Sequence, residues 1–339
     1  MNNNIINIFG NTINPGERKE ILLPMPSLYD GSPLYSHIHV INGKKPGPVL
    51  CLTAAIHGDE LNGVEIINKV LSSKKLKDIN GTLIAVPVVN VYGFLYQQRY
   101  LMDRRDLNRF FPGDSRGSLA SKIANLFYEN VFKQSTHIVD FHTGSLHRVN
   151  FPQIRAVLDD DYMKSFAKSF GAPIILNSSI RAGSLRAIAH KHNKPLLVYE
   201  AGESLRFDSL SIKYGIHGVF NVMHFLGMLD KKYKDTSSPV FCESSVWIRA
   251  KYSGFFISKK KLGSFIKEND ILGHVTNPMS LKNNTIISPI SGFIIGINNN
   301  ALVHDGGAIF NIALLNKINK KQIRTLELLD SDEMDNLNN

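Results

Sequence analysis

Short apolar runs of strand length alternate with amphipathic segments of helical period from about residue 35 to residue 229. Residues 48–55 (PVLCLTAA), 82–90 (TLIAVPVVN) and 195–199 (PLLVY) have the near-continuous apolar character of strands buried on both faces. Residues 136–141 form a further strand, and this one ends in a polar cluster. Between the strands, residues 62–71, 118–132, 161–170, 184–192 and 215–229 repeat their apolar positions with helical spacing. In 118–132 that face carries Leu119, Ile123, Leu126, Phe127 and Val131. A chain built this way is expected to be α/β, with helices packed on a largely parallel or mixed sheet.

The texture changes near Leu229. The polar stretch from Asp230 to Pro239 reads as a linker. Beyond it, short strand patterns punctuated by Gly254, Gly263, Gly273, Gly292, Gly296 and Gly306-Gly307 replace helical periodicity, which predicts a small all-β barrel or sandwich. The expected organisation is an N-terminal extension (1–34), an α/β domain (35–230), a linker (231–239), a β-rich C-terminal domain (240–316) and a polar acidic tail (317–339).

Hydrophobic residues make up 43% and charged residues 20% of the 339, which excludes disorder and collagen for most of the chain. No apolar run approaches the ~20 residues that span a bilayer, so no membrane partner is expected. The start of the chain shows no basic region followed by an apolar core, and Cys51 and Cys242 lie far apart in apolar surroundings. Both point to a reducing cytoplasm without a disulfide framework. The formal net charge is +10, from 39 Lys+Arg against 29 Asp+Glu. The lysines are scattered and no recognition motif accompanies them, so no nucleic-acid partner is expected.

The chemistry concentrates at predicted strand ends. His57-Gly58-Asp59-Glu60 follows the strand 48–55, and Asp140-Phe141-His142-Thr143-Gly144 closes the strand 136–141. Ligands of open α/β sheets collect at the carboxyl ends of strands. Two histidines and one carboxylate on zinc leave a fourth position for water, as in hydrolytic sites. Asp106-Leu107-Asn108-Arg109-Phe110-Phe111-Pro112-Gly113 sets an amide donor beside a guanidinium able to grip a carboxylate with two parallel bonds. Glu200, in Tyr199-Glu200-Ala201-Gly202-Glu203, stands at a third strand end, where it could serve as a general base.

HGDE, DLNRFFPG, DFHTG and YEAGE occur together in the order and setting of the succinylglutamate desuccinylase/aspartoacylase family, which the chain resembles over roughly residues 35–230 and on through its β-rich part. The family belongs to the zinc carboxypeptidase-like superfamily, so the resemblance implies a mixed sheet flanked by helices and one Zn²⁺ per chain. On that resemblance His57, Glu60 and His142 match the zinc ligands, Asn108 and Arg109 the pair that holds the substrate carboxylate, and Glu200 the glutamate that activates water. Arg99 falls where the family has an arginine that polarises the scissile carbonyl, with Arg104 and Arg105 as competitors for the role. Arg186 resembles an arginine that meets a second acidic group of the substrate. The stretch Arg148-Val149-Asn150-Phe151-Pro152-Gln153 is a further candidate lining of the pocket. Residues 275–297, with Ser288-Pro289-Ile290-Ser291-Gly292, look like a lipoyl/biotinyl-type barrel-sandwich, yet no lysine sits in the hairpin context used for attachment. That region is expected to be a lid or an interface module, and an interface would join copies into a homo-oligomer.

The expected function is zinc-dependent hydrolysis of an amide bond in an N-acyl amino acid or a related small carboxylate. Carboxypeptidase action on short peptides shares the same chemistry. The competitor from another class is a non-catalytic module that binds an acidic ligand on the same fold.

Overall fold

A computed structural model describes residues 5–231 and 239–315. Most of the expected linker and the whole of the acidic tail lie outside the described residues.

Four parallel strands form the centre of the main sheet. They are Asn80–Val86, Lys45–Thr53, His137–Gly144 and Leu196–Glu203, side by side in that order. Their apolar runs are continuous because helices cover both faces. On one face Ile138 and Val198 pack with Ile123, Phe127 and Ile188 from the helices Leu119–Phe127 and Leu185–Lys191. On the other, Val139, Phe141 and Tyr199 pack with Ile66, Phe170 and Val219 from the helices Asn62–Leu71, Asp161–Phe170 and Ser209–Phe225. The helix starts are set locally. Ser118, Asp160, Ser184 and Asp208 each accept a hydrogen bond from a backbone N–H of the first turn.

The expected α/β class, a mixed sheet flanked by helices with a C-terminal antiparallel β region, is what the chain adopts. Boundaries differ where local chemistry intervenes. The strand expected over 82–90 stops at Val86, because Pro87 has no N–H to donate to the ladder. The helix expected over 118–132 ends at Phe127 and continues as one wider π-type turn, Tyr128–Phe132.

Two features lie outside the helix–strand alternation. Residues ahead of it form Arg18–Met25, which pairs antiparallel with Leu34–Asn42, and that strand pairs in turn with Asn80–Val86. Beyond Leu196–Glu203 the sheet continues antiparallel through Arg148–Ala156, Gly292–Asn298, Ala308–Leu314 and Ser244–Arg249. Strands of the β-rich region thus hydrogen-bond directly onto the α/β sheet. A second, four-stranded antiparallel sheet runs Asn283–Ile287, Ile271–Thr276, Gly254–Ser258 and Leu302–Val303. Phe256, Leu272 and Val275 of that sheet share a core with Ile248, Ile294 and Phe310 of the main one.

Candidate metal centre and its cleft

The strand Lys45–Thr53 leads through the helix Asn62–Leu71 to a neighbour on one side, while His137–Gly144 flanks it on the other. The connections therefore diverge between Lys45–Thr53 and His137–Gly144, and such switch points open a crevice at the carboxyl ends of the strands. The HGDE turn sits at that crevice. Fully buried Ala55 takes a left-handed φ of 48° as the chain leaves the strand. Gly58 is needed for packing, since a Cβ there would lie 1.9 Å from the carbonyl carbon of Gly93.

His57, Glu60 and His142 are all buried, and each offers one donor atom within 4.8 Å of the others. Nδ1 of His57 lies 2.8 Å from Glu60 Oε1, and Nδ1 of His142 lies 2.8 Å from Glu60 Oε2. The outer nitrogen of each ring is held by a carboxylate. His142 Nε2 stands 2.9 Å from Asp140 Oδ2, and His57 Nε2 stands 3.2 Å from Asp106 Oδ1. Carboxylates in this position fix the ring orientation of metal-binding histidines. Two imidazoles and a carboxylate converging in this way fit a divalent metal such as zinc, with room for further ligands from the cleft.

The electrostatics follow from burial and pairing. Burial opposes ionisation of Glu60, but the neighbouring His57 and His142 outweigh it and hold the carboxyl well below the usual range. Burial also opposes a charge on each histidine; Glu60 and Asp106 outweigh it at His57, and Asp140 and Glu60 outweigh it at His142, so both are raised. Asp106 is lowered in the same manner by His57 and Arg99, against its own burial.

A cleft of about 1000 Å³ opens over this cluster and gathers Arg99, Asn108, Arg109, Arg186 and Glu200, with Arg148 and Asn150 from the stretch 148–153. Glu200 is the register partner of His142 on the adjacent parallel strand, so the two side chains leave the same face of the sheet. Arg99 donates from Nη2 to Asp106 at 2.9 Å and from Nη1 to Ser145 Oγ at 2.9 Å, and Nη1 also lies 3.2 Å from His57 Nδ1. Arg104 and Arg105 are exposed and line no part of the cleft, which separates them from Arg99. Asn108 accepts a hydrogen bond from the N–H of Leu185 at its Oδ1 (2.9 Å), which fixes the amide at the start of the helix Leu185–Lys191. Arg109 donates from Nη1 to the carbonyl of Asn108. Arg186 donates from Nη2 to the carbonyl of Ser179, while its Nη1 is buried without a partner. Burial, aided by the charge of Arg155, lowers the Arg186 guanidinium to about 10.

Three contributors have no individual role in the sequence reading, although Asn150 falls within the stretch 148–153 expected to line the pocket. Asp140 lies inside DFHTG, two residues before His142, and the two-residue period of a strand puts both on one face. Asp106 opens the DLNRFFPG block and caps its short turn, accepting from the N–H of Asn108 at 2.9 Å. Asn150 donates from Nδ2 to Glu200 Oε2 at 2.8 Å. A bulge makes that contact, since Glu200 and Gly202 pair with Gln153 and Asn150, which are three residues apart rather than two. The extra residue, in the stretch that holds Pro152, returns Asn150 to the cleft face.

The family model of the succinylglutamate desuccinylase/aspartoacylase catalytic domain matches residues 46–226. Among curated proteins, the N-alpha-acetyl-L-2,4-diaminobutyric acid deacetylase of Halomonas elongata is 26% identical over 241 residues, which is 68% of this chain and 70% of that protein. Among solved structures, the product-bound ectoine utilization protein EutE (DoeB) of Ruegeria pomeroyi superposes with a TM-score of 0.82 at 24% identity, over 93% of this chain and 99% of that one. A succinylglutamate desuccinylase from Silicibacter sp. TM1040 gives 0.81 at 24%, over 93% and 100%. These two likenesses are of fold. The catalytic-domain match covers more than half of the 339 residues and contains all four motifs, and on it the chain belongs to the succinylglutamate desuccinylase/aspartoacylase family.

Proposed function

We propose that the protein is a zinc-dependent deacylase that hydrolyses the amide bond of an N-acyl amino acid or a related small carboxylate. The observation that carries the reading is the buried His57–Glu60–His142 cluster opening onto a cleft in which Glu200 is the register partner of His142. The diaminobutyrate deacetylase relative supports the N-acyl amino acid class over peptides. Zinc held by the three residues would supply Lewis acidity toward the scissile carbonyl and toward water.

The chain's own residues have distinct tasks. Glu200 takes the proton of the attacking water and passes it to the leaving amine. Asn150 holds one Glu200 oxygen through its amide and leaves the other for water. Arg99, fixed by Asp106 and Ser145, faces the developing oxyanion. Asn108, with Oδ1 already engaged, presents Nδ2, and Arg109 presents its remaining N–H groups, to the carboxylate of the amino-acid half. Arg186 offers its unpartnered Nη1 to a further acceptor on the substrate. The buried free thiols Cys51 and Cys242 suit a reducing cytoplasm.

The test is turnover of a panel of N-acyl amino acids, with and without chelator, in the wild type and in Glu200→Gln. The reading expects chelator-sensitive hydrolysis restored by zinc, and a ~10²–10⁴-fold loss in Glu200→Gln with metal content retained. Chelator-insensitive hydrolysis would contradict it. So would a Glu200→Gln variant as fast as the wild type.

A further inference from the structure

One transverse row of the main sheet crosses from the β-rich region into the catalytic strands. Trp247 pairs with Asn311, Asn311 with Gly296, Gly296 with Asn150, and Asn150 with Gly202. Residues paired in register put their side chains on one face, and here that face is the cleft, lined by Trp247, Asn311 and Asn150. Gly296 keeps the row open, since a Cβ at this position would stand 3.1 Å from Asn150 Oδ1 and 3.3 Å from Asn311 Cβ.

The two asparagines differ in one respect. Asn150 is engaged with Glu200. Asn311 is fully buried, and neither its Oδ1 nor its Nδ2 has a partner among the described residues. Buried side-chain amides are almost always hydrogen-bonded. Arg148, two residues before Asn150 and on the same face, has its Nε buried and unpartnered, with its guanidinium 5.2 Å from the centre of the Trp247 ring. Two donors and one acceptor, screened from solvent, thus lie at one end of the cleft beside an aromatic surface.

We infer that Asn311 and Arg148, walled by Trp247, form a specificity subsite that the β-rich region adds to the cleft, and that it takes an uncharged amide group of the substrate. This rests on the deacylase reading for its substrate but not for its existence. An amide carbonyl accepts from Arg148 Nε or Asn311 Nδ2, and an amide N–H donates to Asn311 Oδ1. A carboxylate has no proton for Oδ1, and an ammonium group has no acceptor for the two donors. The subsite is distinct from Asn108, Arg109 and Arg186, whose free groups are donors only.

The test uses two matched substrate pairs on the zinc-loaded full chain. N-acetyl-L-glutamine is compared with N-acetyl-L-homoleucine, and N-succinamoyl-L-alanine with N-(4-methylpentanoyl)-L-alanine. Within each pair an amide is exchanged for an apolar group of the same shape, on the amino-acid half or on the acyl half. The wild type should favour the amide by about tenfold or more in kcat/KM in at least one pair, since a site with buried polar groups rejects an analogue that leaves them unpaired. Asn311→Leu should bring that ratio to near one. Trp247 is the only tryptophan in the chain, so its fluorescence in the wild type reports occupancy without turnover and without a variant. N-acetyl-L-glutamine or N-succinamoyl-L-alanine should perturb it at lower concentration than the apolar partner. Differential fluorescence without hydrolysis of any compound would sustain the subsite and reject the deacylase reading. Hydrolysis with no amide preference in either pair, or a preference that survives Asn311→Leu, would overturn the subsite and leave that reading standing. Neither hydrolysis nor differential fluorescence would overturn both.

Discussion

The Arg109 guanidinium donates from Nη1 to the carbonyl of Asn108 and stands 3.7 Å from Asp106 at Nη2, half-exposed at the wall of the cleft. Two uses of such a residue can be told apart by magnitude. An exposed ion pair is worth ~0–1 kcal/mol and would not touch catalysis. A charge-assisted contact to a substrate carboxylate is worth ~1.5–3 kcal/mol, or about 10–150-fold in binding. Lysine keeps the charge and loses the planar fork. Arg109→Lys is therefore expected to lower kcat/KM by well over tenfold, with a nearly unchanged melting temperature. The loss should shrink for substrates whose α-carboxylate is amidated, because the wild type has then already lost the same contact. An equal loss with acid and amide would mean that Arg109 does not read the carboxylate. Sequence and structure meet unevenly at this scale. The cluster of His57, Glu60 and His142 was legible because strand ends announce its members. Asp106 was not, and Asn150 was legible only as a member of the stretch 148–153, since their hydrogen-bond partners, His57 and Glu200, lie 49 and 50 residues away.

At the scale of elements, the strands most legible in the sequence are those buried on both faces. Their apolar runs, 48–55 and 195–199, are continuous and too short for a typical helix. Arg18–Met25 escapes that criterion because one of its faces is solvated, and its burial simply alternates. Arg148–Ala156 escapes it because a bulge and a polar cleft face break its period. The first residue of the strand His137–Gly144 supplies a pH prediction remote from the His57–Glu60–His142 cluster. His137 lies against Tyr162 and Phe166, with Nε2 2.7 Å from the Tyr162 hydroxyl, and burial pushes its pKa down to about 4. The unfolded chain takes up this proton near pH 6.5, before the folded one does. The stability His137 contributes is complete above that pH and is lost as pH falls from about 6.5 to about 4. Replacing it with Gln is expected to flatten the stability–pH profile in that window by up to one proton, read from urea titrations at each pH. A profile identical to the wild type's would mean that His137 is not the titrating group.

At the scale of the whole molecule, one hydrogen-bonded sheet runs from the N-terminal antiparallel edge, through the four parallel strands, to Ser244–Arg249. The β-rich region was legible as a change of texture, but its attachment was not. The pairing of Arg148–Ala156 with Gly292–Asn298 joins residues about 150 apart, and no local pattern records it. This continuity makes Trp247 and Asn311 walls of the same cleft that His57 and His142 floor. The account depends above all on that floor being a metal centre. The most direct measurement is metal content per chain, by elemental analysis after extensive dialysis, for the wild type, His57→Ala and His142→Ala. The account predicts one zinc per wild-type chain and near-complete loss in both variants, with the far-ultraviolet circular dichroism of the folded chain retained. Wild-type zinc content in either folded variant would contradict it.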